Sequence, residues 1–149
     1  RAQKALTGGA TSEGGVRLTF SQLQTNALPP QLTAHFDFVY SFDVLPHCDL
    51  HTIFAYLQEI RRVLKPSGLA LIHTSNITAP AGFARFAKQK EASVAGFCFT
   101  SPEAVRALVR EAGLEIVKES SVRQDNIYYN RDFLCLLKQR DAGGGGSSA

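Results

Sequence analysis

The stretch EIRRVLKPSGLALI, residues 59–72, restricts the possible folds more than any other part of the chain. Just before this stretch and in its first half, apolar residues recur at helical spacing, which predicts an amphipathic helix. These residues are Ile53, Leu57, Ile60 and Leu64. Pro66 cannot continue a helix, and Gly68 is predicted to reverse the chain with a positive φ angle. The apolar run that follows, residues 68–75, predicts a buried strand. The stretch therefore predicts a helix that turns at once into a strand.

Strand-like patterns surround this unit. Residues 36–42 (FDFVYSF) are rich in aromatic and β-branched side chains, which predicts a strand buried on both faces. Shorter runs of similar character are residues 16–20, 114–120 and 133–138. The last two runs have no helix between them, which predicts an antiparallel hairpin. The predicted fold class is therefore α/β, a sandwich with a mostly parallel sheet and a C-terminal antiparallel hairpin.

Local signals define the ends of the predicted helices. Asp49 is the predicted N-cap of the first helix, because a carboxylate can accept the free amide hydrogens of a first turn. A further helix is predicted with Ser101 as its cap, Pro102 at its first position and Gly113 at its end. A short helix around residues 83–88 is predicted between these two.

Composition limits the classes of function. The chain of 149 residues has a formal charge of +3 with scattered Lys and Arg, which argues against a nucleic-acid partner. No apolar run approaches the roughly 18 residues that span a bilayer, so no membrane partner is expected. Three cysteines without a CxxC pair fit a reducing compartment, and we expect a cytoplasmic protein. The Gly/Ser-rich residues 141–149 predict a flexible tail.

Two of these segments together resemble class I S-adenosylmethionine-dependent methyltransferases. Members of that family typically have a Phe-Asp-apolar-apolar strand, a helix ending in Arg-Val-Leu-Lys-Pro-Gly-Gly, and then another apolar strand. Here residues 36–40 match the first element, and residues 62–68 match the second, with Ser67 in place of the usual first Gly. The closing order of helix, strand, loop and strand also agrees, so the resemblance extends over residues 16–139.

The resemblance implies a partial Rossmann-like methyltransferase sandwich. The family's first two strands carry the Gly-rich cofactor loop and the acidic residue that holds the ribose, and neither strand has a counterpart here. The Gly pairs at residues 8–9 and 14–15 neither follow a strand nor open a helix. We therefore expect residues 1–15 to be a remnant helix end and loop, and residues 16–140 to be the C-terminal part of the domain. The lack of any Met also suggests that the natural start lies upstream.

The missing strands have a physical consequence for the edge of the sheet. Without their neighbours, residues 36–42 would form an exposed apolar edge, which favours pairing or aggregation. We expect the chain to fold poorly alone, or to pair with another polypeptide through this edge.

The resemblance also implies candidate site residues near the carboxyl ends of the strands. The candidate cofactor contacts are Gln24, Ser41 and Phe42, with Gln24 placed to accept a hydrogen bond from the adenine amino group. Asp43 and His47 are the candidate catalytic residues, one binding an amine or accepting a proton and the other acting as general base. A plain loop or capping role remains open for both. The candidate substrate contacts, for which ordinary packing is the alternative, are Asn76, Tyr128 and Tyr129.

A metal site is not expected. Four potential ligands lie close together in the sequence, namely His47, Cys48, Asp49 and His51. Their placement in a loop and a first helical turn matches no zinc spacing.

The expected function is S-adenosylmethionine-dependent methyl transfer to a small-molecule acceptor, with this chain a truncated piece that is inactive alone. Methyl transfer needs mainly positioning and desolvation, so an obvious catalytic dyad is not required. The alternative is a non-catalytic methyltransferase-like module that serves in binding or scaffolding. A nicotinamide-dependent dehydrogenase fits less well, because the closing antiparallel hairpin matches the methyltransferase order better.

Overall fold

The computed structural model describes residues 9–11, 17–91 and 96–140. Within them the strands are β1 (Gly9–Thr11), β2 (Arg17–Thr19), β3 (Phe36–Ser41), β4 (Leu64–Ser75), β5 (Leu114–Glu119) and β6 (Asp132–Gln139). The α-helices are α1 (Leu50–Val63), α2 (Pro80–Lys88), α3 (Pro102–Glu111) and α4 (Ile127–Arg131), and two short 3-10 helices span Pro30–Leu32 and Leu45–His47. The predicted Gly/Ser tail lies outside the described residues.

The main sheet has four strands in the order β3-β4-β6-β5. β3 and β4 are parallel, whereas β6 is antiparallel to both of its neighbours. This confirms the α/β class and the antiparallel pairing of the last two strands, and it places the predicted parallel pairing between β3 and β4. The expectation that no helix separates the last two strands was wrong, because the short helix α4 lies between β5 and β6. β6 is thus an inner strand although it is the last of the described strands along the chain.

A separate two-stranded sheet lies near the start of the chain. β1 and β2 pair antiparallel, with Ala10 opposite Leu18. The predicted strand at residues 16–20 corresponds to β2. Residues 9–11 were expected in a loop and instead form β1, because they gain a hydrogen-bonded partner strand that the sequence pattern did not indicate.

The predicted helix caps are confirmed. The Asp49 carboxylate accepts a hydrogen bond of 2.8 Å from the Thr52 amide at the start of α1. The Ser101 hydroxyl accepts one of 3.3 Å from the Ala104 amide at the start of α3. Gly113 follows α3 with φ of 75°, which is a conformation that favours glycine.

The prediction for Gly68 was wrong. α1 ends at Val63, and β4 begins at once, so no left-handed residue reverses the chain at Gly68. Leu64 pairs with Phe36 and Leu69 pairs with Phe38, so the intervening residues 65–68 bulge out of the strand. A Cβ at Gly68 would lie 2.9 Å from the Phe36 carbonyl oxygen. Glycine is needed here because two backbones approach closely, not because of a positive φ angle.

Charged residues where α1 ends and β4 begins attach neighbouring segments to α1 and β4. We call this junction the corner. Arg62 pairs with Glu59 at 2.7 Å and donates to the Leu28 carbonyl oxygen at 2.9 Å. The Glu59 carboxylate in turn accepts from the Leu28 amide. Lys65, inside the bulge, pairs with Asp37 of β3 at 2.8 Å. The corner therefore fixes both the loop before β3 and the start of β3.

One face of the main sheet carries the hydrophobic core. Buried side chains of the helices α1 and α3 pack there against buried side chains of β4, β5 and β6. The helix residues are Ile53, Leu57, Ile60, Val105 and Val109, and the strand residues are Ala70, Ile72, Leu114 and Leu137. Cys135 of β6 belongs to this layer, and burial raises the pKa of its thiol to about 12. The buried hydrophobic core thus lies between this face of the sheet and the helices α1 and α3.

The opposite face of the main sheet is open at β3. Phe38 and Tyr40 are 52% and 71% exposed. Their cross-strand neighbours on the same face, Leu69, Leu71 and Leu136, are only partly buried. The prediction that residues 36–42 are buried on both faces was therefore wrong, because no described element covers this side of β3. We call Phe38, Tyr40, Leu69, Leu71, Leu134 and Leu136 the open face.

No described helix is long and apolar enough to cross a membrane.

Candidate functional site

The candidate site lies where β3 and β4 end and β6 begins. The carboxyl ends of parallel strands meet at one edge of a sheet, and an antiparallel neighbour starts at that same edge. Ser75 at the end of β4 pairs with Asp132 at the start of β6. Side chains from three strands and the following loops therefore converge at this edge.

The turn after β3 is held by a buried histidine of β4. Asp43 has a φ angle of 58°, which is uncommon for a residue other than glycine. Its amide donates a 3.0 Å hydrogen bond to Nδ1 of His73, and the ring of Phe42 stacks on the imidazole at 4.6 Å between centroids. The backbone and the aromatic side chain of the turn are thus both attached to His73, while Asp43 itself is exposed.

His73 in turn faces a carboxylate. Its Nε2 lies 2.9 Å from Oδ2 of Asp132, and both side chains are fully buried. The Nε2–H bond is not aligned with that oxygen, so the pair is a close electrostatic contact, not a linear hydrogen bond. Arg131 forks onto the same carboxylate with hydrogen bonds of 2.7 to 3.0 Å.

The charges around Asp132 keep it ionised. Burial raises its pKa, but the contacts from His73 and Arg131 together outweigh burial, and the pKa of Asp132 lies below its ordinary value. The site therefore contains a buried carboxylate between a cation and an imidazole.

Tyr128 completes an aromatic cluster over this group. Its ring lies 5.0 Å from that of Phe42 and 5.7 Å from that of His73. The short helix α4 places it there, and Asn126 caps that helix by accepting from the Tyr128 amide at 2.9 Å. Of the residues predicted for the site, Phe42, Asp43 and Tyr128 are thus brought together.

The other predicted residues lie in different surroundings. Tyr129 lines a cavity of about 240 Å³ with Leu71, Leu134 and Leu136 of the open face and with residues 118–120. Asn76 is buried, and its side-chain oxygen Oδ1 accepts from both the amide and the hydroxyl of Thr78 at 2.9 and 2.6 Å. Gln24 is exposed in the loop after β2. Each assignment of a role to these residues stays a prediction.

His47 sits against the loop that precedes α3. Its Nδ1 donates to the Gly96 carbonyl oxygen at 3.0 Å, which leaves Nε2 of the neutral ring as an acceptor. The ring contacts Phe97 edge to face at 5.2 Å. Among the described residues, no group of three or more His, Cys, Asp or Glu side chains is arranged to hold a metal ion.

An apolar cavity of about 190 Å³ lies between β3 and α1. It is lined by Leu28, Val39, Tyr40, Ser41, Val44, Leu45, Tyr56, Glu59 and Ile60. Ligand sites usually enclose about 300 Å³ or more. The only charged group in this lining, the Glu59 carboxylate, is occupied by Arg62 and the Leu28 amide. The described residues therefore supply one wall, and they do not by themselves fit a whole nucleotide-like cofactor.

Sequence reasoning missed His73, Arg131 and Asp132. The available signal was a histidine inside an otherwise apolar strand, since buried strands rarely carry an ionisable side chain without a partner. The partner could not be named, because Asp132 lies 59 residues later in the sequence and reaches His73 only through the pairing of β4 with β6.

The parallel pair, the helices on one face and the closing antiparallel strand define an α/β protein whose candidate site lies at the strand carboxyl ends. The chain belongs to the methyltransferase-domain family, whose pattern it matches over residues 7–119. This confirms the resemblance to class I S-adenosylmethionine-dependent methyltransferases. A search of the curated proteins finds no match.

Solved structures share the fold at low sequence identity. The mitomycin 7-O-methyltransferase MmcR is 18% identical with a TM-score of 0.55, over 69% of this chain and 29% of MmcR. The PH0226 protein from Pyrococcus horikoshii OT3 is 17% identical with a TM-score of 0.54, over 80% of this chain and 56% of that protein. The 1,6-didemethyltoxoflavin-N1-methyltransferase of Burkholderia thailandensis, with substrate and S-adenosylhomocysteine bound, is 15% identical with a TM-score of 0.53, over 73% of this chain and 46% of that enzyme. The chain thus spans between 29% and 56% of the length of these proteins.

Proposed function

We propose that this chain forms the acceptor side of an S-adenosylmethionine-dependent methyltransferase that acts on a small molecule in the cytoplasm. The observation that carries the proposal is the family match together with the β3-β4-β6-β5 order of the sheet. Two of the structurally similar enzymes act on small molecules, one at an oxygen of mitomycin and one at a nitrogen of a toxoflavin precursor. At such low sequence identity the similarity supports only a shared fold, so the class of acceptor is our inference.

In this proposal the chain's own residues bind and orient the acceptor. The exposed carboxylate of Asp43 is placed to bind an amine or to take a proton, and Nε2 of His47 is free to act as general base. Phe42 and Tyr128 offer aromatic faces to a flat acceptor, and Ser41 belongs to the wall on the cofactor side. Gln24, Asn76 and Tyr129 keep the cofactor and substrate roles predicted for them. Bound S-adenosylmethionine would supply the methyl group.

The chain by itself is expected not to bind S-adenosylmethionine. The cavity beside Ser41 is too small for such a ligand, and its only charged side chain, Glu59, already has partners. Isothermal titration of S-adenosylmethionine into the isolated chain should give no heat of binding at micromolar concentrations. Micromolar affinity would contradict this expectation.

An experiment on the protein that contains the completed sheet distinguishes the two hypotheses, the enzyme and the non-catalytic module. That protein should transfer a labelled methyl group from S-adenosylmethionine to a small-molecule extract, and the transfer should fall when Asp43 is replaced by asparagine. A completed protein that binds no S-adenosylmethionine would favour the module and overturn the proposed activity.

A partner for the chain is expected at β3. The outer edge of β3 has no neighbour among the described strands, and the adjoining open face leaves Phe38 and Tyr40 exposed. We assign this surface to a strand and covering helix of the polypeptide that completes the domain. The assignment is supported by the greater length of the structures that the chain matches.

Replacing Phe38 by lysine should therefore reduce association of the isolated chain. A lysine on an edge strand opposes pairing, and Phe38 has no core contacts to lose because it is 52% exposed. Sedimentation velocity over a range of concentrations should show self-associated wild-type chain and a larger monomer fraction in Phe38→Lys.

The matched control is Val122→Lys. Val122 is 50% exposed but lies in the loop between β5 and α4, so its replacement should leave association unchanged. Wild-type chain that is monomeric and unfolds cooperatively would contradict the assignment. A defined dimer would indicate that a second copy occupies β3.

A further inference from the structure

The turn after β3 depends on one atom of His73. Asp43 adopts a left-handed backbone, and its amide hydrogen is accepted by Nδ1 of His73 across 3.0 Å. An imidazole nitrogen accepts a hydrogen bond only when it carries no proton. The observed turn therefore requires the neutral tautomer with its hydrogen on Nε2.

The surroundings of His73 select that tautomer. Nε2 faces the Asp132 carboxylate at 2.9 Å, and a carboxylate favours a hydrogen on the nitrogen that faces it. Arg131 holds the carboxylate in place through two of its nitrogens. The chain of contacts runs from Arg131 through Asp132 and His73 to the backbone of Asp43.

We propose that His73 is a positioning residue that sets the orientation of Phe42 and Asp43 at the acceptor side of the site. It touches neither acceptor nor cofactor, since its side chain is fully buried. Its effect passes through the Asp43 amide and through the stacked ring of Phe42. The geometric part of the proposal is independent of the reaction, and only the consequence for catalysis rests on the proposed function.

Two near-isosteric replacements test the roles of the two ring nitrogens of His73 separately. In His73→Asn the side-chain oxygen reaches the position of Nδ1 and still accepts from the Asp43 amide. In His73→Gln the side-chain amide reaches the position of Nε2 and faces Asp132, but the Asp43 amide loses its acceptor. A purely structural role would make the two variants alike, because both replace a buried ring by a smaller amide.

The test is NMR spectroscopy of the full chain, in the Phe38→Lys background so that association does not broaden the signals. Long-range ¹⁵N spectra of the unsubstituted His73 should show an unprotonated Nδ1 and a protonated Nε2. Hydrogen exchange of the Asp43 amide should be about tenfold faster in His73→Gln than in His73→Asn, since only the latter keeps the hydrogen bond.

The outcomes separate this inference from the proposed function. A protonated Nδ1 at neutral pH, or equal exchange in the two variants, would overturn the positioning role. The tautomer is read from the Phe38→Lys chain that keeps His73, so the inference stays testable even where a His73 variant fails to fold. In the completed methylating protein, His73→Gln should lower kcat more than it raises KM, and His73→Asn should recover most of kcat. Absence of methylation in every form would overturn the proposed function and leave the NMR result standing.

Discussion

Replacing Gly82 by alanine should unfold much of the C-terminal half of the chain. A Cβ at this position would lie 1.8 Å from the Asn76 carbonyl oxygen and 2.8 Å from the Arg131 carbonyl oxygen. Both atoms belong to backbone, so no flexible side chain can move aside, and α2 must separate from the end of β4 and from α4. Overpacking costs about 1 to 3 kcal/mol in ordinary cores, and we expect the upper end of that range or more here. Urea unfolding followed by circular dichroism measures the loss.

Helix propensity predicts the opposite sign, which makes the experiment decisive. In an unconstrained helix, replacing Gly by Ala stabilises by about 1 kcal/mol. The matched control is Ala84→Gly in the same helix, where the side chain is exposed and only propensity should act, with a cost of about 1 kcal/mol. A Gly82→Ala variant more stable than the parent chain would show that α2 does not pack on Asn76 and Arg131 as described.

Replacing Asp132 by asparagine should also be strongly destabilising. The substitution keeps the size of the side chain but removes the charge that faces both Arg131 and His73. Loss of one partner from a buried ion pair costs about 3 to 5 kcal/mol, because the other charge is left without compensation. The Arg131 side chain is 18% exposed and keeps some contact with water, so we expect a value near the lower end. Urea unfolding at neutral pH provides the measurement.

The exposed carboxylate of Asp125 is the matched control. It pairs with Arg123 on the surface, where an ion pair contributes at most about 1 kcal/mol, so Asp125→Asn should change stability little. Equal effects at the two positions would contradict a special role for the buried carboxylate.

The pH dependence of the same variant gives a second readout. The pKa of Asp132 is lower in the folded chain than its ordinary value, so ionised Asp132 stabilises the fold at pH values above the unfolded pKa of about 3.9. This contribution is lost as the pH falls through the folded pKa. The difference in unfolding free energy between the parent chain and Asp132→Asn should therefore shrink on acidification below about pH 4. A difference that stays constant down to pH 2 would contradict the ionised pair.

Much of the secondary structure could be predicted because its causes are local. Asp49 and Ser101 cap helices through amides three residues away, and Gly113 ends a helix through its own φ angle. In each case the deciding interaction lies within a few residues of the sequence signal.

The errors arose where distant parts of the chain decide the structure. Gly68 is required because the Phe36 backbone approaches it, and its sequence context alone suggested a reversal of the chain. The apolar residues of β3 indicated burial on both faces, but burial also needs a covering element, which the pattern of β3 cannot show.

For the site residues too, local causes could be predicted from the sequence and distant ones could not. Phe42 and Asp43 could be proposed because they directly follow a predicted strand. His73 and Asp132 could not be paired before the register of β4 and β6 was known. Arg131 was missed for the same reason, since its role depends on its pairing with the Asp132 carboxylate and on the close packing of α2 against its backbone.

The strand order has a consequence for when this chain can fold during synthesis. Of the described strands β6 is the last to leave the ribosome, yet it lies between β4 and β5. Until β6 emerges, β5 has no described strand to pair with, and the apolar edge of β4 that faces β6 stays uncovered. The β4–β6 and β5–β6 pairings can therefore form only after residues 132–139 have been translated, which prolongs the exposure of apolar strands to other chains and to chaperones.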